Sequence, residues 1–146
     1  MTHAIIIRDD GFHADDWGQG FVALADLPLN SGALDVPSTV DVRDLLAHLP
    51  AIPLIRVDFP TFTDGRGFTI ARLLRAMGYT RRLRARGHIL ADQYAMARRA
   101  GFDEVEIDAT LAARQPEAQW LARANWRDHD YRSRLYRKAP QGPAAG

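Results

Sequence analysis

The sequence predicts an α/β protein of repeated βα units forming a mainly parallel sheet, with an N-terminal β-hairpin at one edge. Three observations carry that expectation. Val42, Leu45, Leu46 and Leu49 recur at i, i+3, i+4, i+7, and Ile70, Leu73, Leu74 and Met77 repeat the spacing, which is the period of an amphipathic helix. Short, mostly apolar and β-branched runs separate and follow these helices. Successive units fall about 20 to 25 residues apart, the length range of βα repeats. Right-handed crossovers then leave two closures, an open three-layer sandwich or four units arranged like half of a βα barrel.

Element by element, Ala4 to Arg8 reads as a strand, Asp9-Asp10-Gly11 as a turn, and Gly20 to Leu24 as the second strand of the edge hairpin. Ala33 to Val36 is a short strand candidate, followed by the first helix from Asp41. Ile52 to Phe59, bounded by prolines, fits a buried strand, and Gly78 stops the second helix. Arg81 to Arg86 is a strand with Leu83 and Ala85 inward and arginines outward; a third helix spans His88 to Ala100, capped by Gly101. Val105 and Ile107 alternate with acids over Asp103 to Ala109, a half-buried strand. The last helix starts near Pro116 and places Trp120, Ala124, Tyr131 and Leu135 on one side. Residues 1–138 are read as a single domain, with the edge hairpin in 1–30 and the βα units in 33–137; 139–146 reads as a flexible tail.

With 146 residues, 47% of them apolar, the chain is long enough to bury its own core. No apolar run approaches a membrane helix and no basic-then-apolar leader opens the chain, so a cytoplasmic protein without membrane contact is expected. The absence of cysteine excludes a self-ligated iron–sulfur cluster, a thiolate zinc site and a Cys nucleophile. His3, His13, His48, His88 and His129 show no metal-ligand spacing, and no metal site is predicted. Nucleotide fingerprints of the G-x-x-x-x-G-K-[ST] and G-x-G-x-x-G types are missing too, and no cofactor is identified.

The net charge of +1 hides a strong asymmetry. Residues 1–62 carry three arginines against nine acids, whereas residues 63–99 carry nine arginines against Asp64 and Asp92 alone. Such a basic segment predicts a surface that meets anions. Arg72, Arg75, Arg81 and Arg82 are expected to face solvent around core-facing Ile70, Leu73 and Leu74, as a docking surface for an acidic partner. The tryptophans and tyrosines are not interleaved with the basic segment in an RNP-like pattern, which leaves nucleic acid poorly supported as a partner.

Ligands of parallel α/β folds bind beyond the carboxyl ends of the strands. The connection after Phe59 therefore attracts attention: Gly65 and Gly67 let backbone approach a ligand, Arg66 offers a bidentate fork, and Asp64 is a candidate for proton transfer. Equally, Asp64 could be used as a cap with Arg66 paired to it. One unit later come Arg84, Arg86 and His88, with Asp92 four residues on, where it could hold the imidazole for proton transfer if both were helical. Asp64, Arg66, Arg84 and Arg86 are expected to converge in one partly exposed cleft.

The run Val57-Asp58-Phe59-Pro60-Thr61-Phe62-Thr63-Asp64-Gly65-Arg66-Gly67-Phe68-Thr69-Ile70-Ala71-Arg72-Leu73-Leu74-Arg75, followed by Gly78-Tyr79, Leu83-Arg84-Ala85, Gly87, Asp92-Gln93 and Gly101-Phe102-Asp103, closely resembles a bacterial family of unknown function. Its members are often described as oxidoreductases of sulfite reduction and are often encoded beside sulfite or nitrite reductase haemoproteins. The resemblance covers about residues 33 to 110 and implies a place in assimilatory sulfur metabolism. Without cysteine, the chain cannot itself be the siroheme and iron–sulfur subunit. The expectation is an accessory protein of assimilatory sulfite reduction that binds the reductase haemoprotein or a small sulfur oxyanion. Its rivals are a stand-alone acid/base enzyme acting on a small anion and, more weakly, a nucleic-acid-binding regulator.

Overall fold

The computed structural model describes residues 4–27 and 32–129. Seven strands form one sheet: β1 (Ala4–Arg8), β2 (Gly11–Ala14), β3 (Phe21–Ala23), β4 (Ala33–Val36), β5 (Leu54–Phe59), β6 (Arg82–Gly87) and β7 (Glu104–Asp108). Their order is β2-β1-β7-β6-β5-β4-β3. The strands from β3 to β7 run parallel, while β1 lies antiparallel to both β7 and β2. The mainly parallel sheet and the N-terminal edge hairpin are thus as the sequence predicts.

The hairpin closes on a different partner from the expected one. Arg8 pairs with Gly11, so Asp9 and Asp10 alone make the turn, and Gly11 at φ +119 takes a conformation open to glycine. The strand expected at Gly20 to Leu24 forms as β3 at the opposite edge, parallel to β4. The chain must therefore cross the sheet between Ala14 and Phe21. A flat sheet would separate β2 from β3 by six interstrand steps, about 29 Å, whereas seven residue steps reach at most about 24 Å. The sheet is accordingly curled, and the crossing segment lies over its concave side. Asp15 and Asp16 meet Arg84 there, and Phe21 lies under Arg56.

The helices pack on the other side: α1 (Arg66–Ala76), α2 (Tyr94–Ala100), α3 (Ala109–Arg114), α4 (Glu117–Leu121) and a 3-10 helix, Val42–Ala51. Leu34, Val36, Ile55, Val57, Phe59, Leu83, Ala85, Val105 and Ile107 from alternate strand positions join Leu45, Leu49, Ile70, Leu74, Tyr94, Ala97 and Trp120 in one core. With the helices on one face and a crossing segment on the other, the arrangement follows the half-barrel closure. Phe59 is edge-on to Phe68 and Phe102 at 5.0 and 5.8 Å, contacts worth about 0.5–1.5 kcal/mol each beyond burial. Gly67 makes room for that cluster, since a Cβ there would lie 2.4 Å from the Phe59 ring.

Three helical expectations change. The first helix is 3-10 rather than α, because Pro50 lacks an N–H and disfavours helical geometry at Leu49. At three residues per turn Leu46 leaves the core face and is 55% exposed. The third helix starts as a 3-10 turn, Ala91–Gln93, so His88 lies outside it. The last expected helix stops at Leu121, and a 3-10 helix follows at Trp126–His129; Tyr131, Leu135 and the tail lie outside the described residues. The extra helix α3 follows β7 directly, started by Asp108, whose carboxylate accepts from Leu111 N at 2.8 Å. Among the described residues no helix is long and apolar enough to cross a membrane.

Candidate functional site

The sheet face away from the helices is a lattice of alternating charge. On β5, β6 and β7 the residues opposite the core positions are Arg56 and Asp58, Arg82, Arg84 and Arg86, and Glu104 and Glu106. Register sets Arg56 beside Arg84 and Arg84 beside Glu104, and in the next row Asp58 beside Arg86 and Arg86 beside Glu106. Arg84 is fully buried, donating from Nε to Glu104 at 2.6 Å and from Nη1 to Glu106 at 2.8 Å. Two of the arginines expected to point outward, Arg82 and Arg84, are thus tied into this lattice.

At the carboxyl ends of β5, β6 and β7 the lattice opens into a cavity of about 760 Å³ lined by Asp58, Phe62, Arg86, His88, Glu106, Asp108, Thr110 and Arg114. Arg86 stands at its centre, 3.7 Å from Asp58 and 3.5 Å from Glu106. Both separations exceed the 2.7–3.2 Å usual for N–H···O bonds, and the side chain is 48% exposed, so the fork is held in place by charge while its donors face the opening. α3 delivers Thr110 and Arg114 to the same wall.

His88 is positioned by backbone. Gly87 has φ +120, and a Cβ there would lie 2.6 Å from Phe59 O, so only glycine lets the chain turn this close beneath that carbonyl. Phe59 O accepts from His88 N at 2.9 Å and lies 3.3 Å from His88 Nδ1. The two contacts set the imidazole against that carbonyl at the mouth of the cavity. The Phe62 ring stands edge-on to the imidazole at 5.1 Å. Gln93 ties the two loops together, donating to Phe62 O at 3.1 Å and accepting from Leu90 N at 2.8 Å.

The residues singled out in the sequence do not converge in one cleft. Arg86 and His88 share the strand-end cavity, and Arg84 is buried one row below. Arg66 lines a separate cavity of about 580 Å³ with Ser38, Thr69 and Leu73, and its fork closes on Asp64 at 2.6 and 3.0 Å. Asp64 also accepts from Arg66 N at 3.0 Å, shaping the start of α1, and the Arg66 guanidinium lowers its carboxyl to about 2. Asp64 is thus engaged by Arg66 and the start of α1, away from the strand-end cavity. Gly65 is the N-cap of α1 with open space around it, whereas Gly67 serves packing against Phe59. Asp92 pairs with Arg123 at 2.9 Å and not with His88.

The remaining basic residues also change role. Arg75, expected at the surface, donates to Gly101 O, Tyr79 O, Arg81 O and Asp103, stitching the end of α1 to the strands beyond it. Leu73, expected in the core, is 44% exposed. Asp58, Phe62, Glu106, Asp108, Thr110 and Arg114 are cavity residues that the sequence reading passed over. Their signal was positional, since Asp58 and Glu106 lie in the last three residues of their strands, on the polar face beside Arg86.

No curated protein and no solved structure matches the chain. The family described as bacterial protein of unknown function (DUF934) matches residues 33–141, a span holding every cavity residue named above. The chain therefore belongs to this bacterial family of unknown function.

Proposed function

We propose that this protein is an accessory protein of assimilatory sulfite reduction that binds a small sulfur oxyanion in the strand-end cavity and serves a reductase haemoprotein. The observation that carries the reading is Arg86, half exposed at the ends of three parallel strands, with ionic neighbours too distant to occupy its donors. Arg114 and His88 line the same opening and complete a cationic and hydrogen-bonding wall. A chain without thiolates binds any redox cofactor non-covalently or leaves the redox centre to a partner, and the accessory reading takes the second course. Against a nucleic-acid surface, Arg66, Arg75, Arg82, Arg84 and Arg98 of the basic segment are engaged in pairs within the chain.

Calorimetric titration of sulfite tests the proposal. Arg86→Ala should weaken binding about tenfold or more, the value of one charge-assisted hydrogen bond, while Arg66→Ala should leave it unchanged. Equal affinity in wild type and Arg86→Ala would remove the cavity from the function. The protein alone should turn over no sulfite, and should co-purify with the reductase at low salt and alter its activity or cofactor loading. A second reading, a stand-alone enzyme moving a proton on a small anion, is favoured by His88, whose imidazole lines the cavity beside Arg86. Turnover without the reductase, abolished by His88→Gln, would select it.

A further inference from the structure

The segment that crosses the concave face fastens itself through two carboxylates. Asp16 Oδ1 lies 2.5 Å from Arg82 Nη2, 3.1 Å from Arg8 Nη2 and 3.7 Å from Arg84 Nη2, while Asp15 lies 3.3 Å from Arg84 Nη1. Glu104, 2% exposed, is the one carboxylate beneath that the three arginines share, at 2.6 to 3.0 Å. Three guanidinium groups converge on one buried carboxylate, and Asp16 approaches the same three as a second anion. The fit is incomplete. Arg84 Nη2, on a fully buried side chain, has no hydrogen-bond partner and faces Asp16 across 3.7 Å, so the seat holds a buried donor that one monoanionic carboxylate does not reach.

We propose that Arg8, Arg82 and Arg84 form a second anion seat, separate from the strand-end cavity, which Asp16 fills as an internal ligand and which takes a dianionic tetrahedral oxyanion when the crossing segment withdraws. Four oxygens on a tetrahedral centre can meet donors that two carboxylate oxygens cannot, and a dianion replaces the two negative charges that Asp15 and Asp16 take away with the segment. Withdrawal leaves the helix-side core covered, and the floor it uncovers holds the buried Ile6, Ala33 and Leu54 beside the arginines. What the segment releases is Asp15, Asp16 and the Phe21 ring, whose centroid is 3.5 Å from the Arg56 guanidinium. Because the internal carboxylate competes for the seat, the apparent affinity for an external ion is reduced by the fraction of time the segment is in place.

Trp17, whose indole N–H donates to Gly20 O at 2.8 Å, lies within the segment and reports on it. The experiment uses the full chain carrying Arg86→Ala and Arg114→Ala, which silences the cavity, so that failure here is distinct from failure of the cavity reading. The chain is labelled with 5-fluorotryptophan and titrated with inorganic sulfate, with sodium chloride at matched ionic strength as control. Sulfate should move the Trp17 fluorine resonance saturably, chloride should not, and Trp120 in the core should stay still. Asp16→Asn should tighten sulfate binding about tenfold by removing the internal competitor, and adding Arg82→Ala should abolish the gain. Phe21→Leu, which removes the ring that lies 3.5 Å from Arg56 and 5.9 Å from Arg84 where the segment enters β3, should shift affinity in the same direction. The proposal is overturned if Asp16→Asn and Phe21→Leu bind sulfate no tighter than the parent, or if Trp17 responds alike to sulfate and chloride.

Discussion

Replacing Gly87 by alanine tests how the fold builds the candidate site. The residue sits at φ +120, and a Cβ would lie 2.6 Å from Phe59 O, several tenths of an ångström inside any ordinary contact. Holding an L-residue at such a φ costs about 1–3 kcal/mol. Displacing the Phe59 carbonyl also stretches the 2.9 Å bond from His88 N, worth about 1 kcal/mol. A total of about 2–4 kcal/mol follows, which for a domain of this size lowers the melting temperature by roughly 5–15 °C. Circular dichroism melting and urea denaturation measure the loss. Sulfite titration measures the second consequence, since the same carbonyl orients His88 in the cavity. Gly65→Ala is the internal control: its φ is ordinary, its surroundings are open, and losing a glycine N-cap costs less than about 1 kcal/mol. If the two variants melt together, the close approach beneath Phe59 does not constrain position 87.

Arg84→Met should cost about 3 kcal/mol in urea denaturation. That is the low end of the range for breaking a buried ion pair, because Glu104 keeps Arg8 and Arg82 and Glu106 keeps Arg56; a loss under about 1 kcal/mol would show that the lattice holds nothing together. Stability should also depend on acid. Arg82 holds the Asp16 carboxyl, and Arg66 the Asp64 carboxyl, down at about 2, below the roughly 3.9 of an unfolded aspartate, so both stabilise the fold above about pH 4 and lose that contribution as pH falls toward 2. Melting temperatures of wild type and Asp64→Asn should therefore converge between pH 4 and pH 2, and a constant gap across that range would refute the pairing.

The parts of the fold legible in the sequence are those that local chemistry decides. β5, α1, β6 and β7 fall where period and punctuation place them, because Pro53 and Pro60, Gly78 and Gly101 terminate elements whatever the tertiary surroundings. The second strand of the edge hairpin is misassigned for the opposite reason. β2 and β3 are four and three residues long, too short to show a period, and the edge each joins is settled by partners far along the chain. The 3-10 helix was misread as α because Leu45, Leu46 and Leu49 satisfy an α pattern that Pro50 prevents from forming. At the site, Arg86 and His88 were found because they end a recognisable strand. Asp58 and Glu106 look like any solvent-facing strand residue until register sets them on either side of Arg86.

The same register explains the arginine cluster that dominates the charge distribution. Arg82-Leu83-Arg84-Ala85-Arg86 and Glu104-Val105-Glu106 are both period-two sequences, and pairing Arg84 with Glu104 and Arg86 with Glu106 turns two blocks of opposite charge into one cross-strand ladder. A block of like charge followed some twenty residues later by alternating acids can therefore be read as two faces of one parallel pair before it is read as a binding surface. That reading also identifies the rows where compensation fails. Arg84 is bonded twice at Nε and Nη1 yet leaves Nη2 unmet, and Arg86 has two carboxylates within ionic range and neither at hydrogen-bonding distance. Donors left over after a ladder has neutralised itself are the part of a charge cluster open to a ligand, and in the ladder of β5, β6 and β7 they fall beneath Asp16 and at the strand-end cavity.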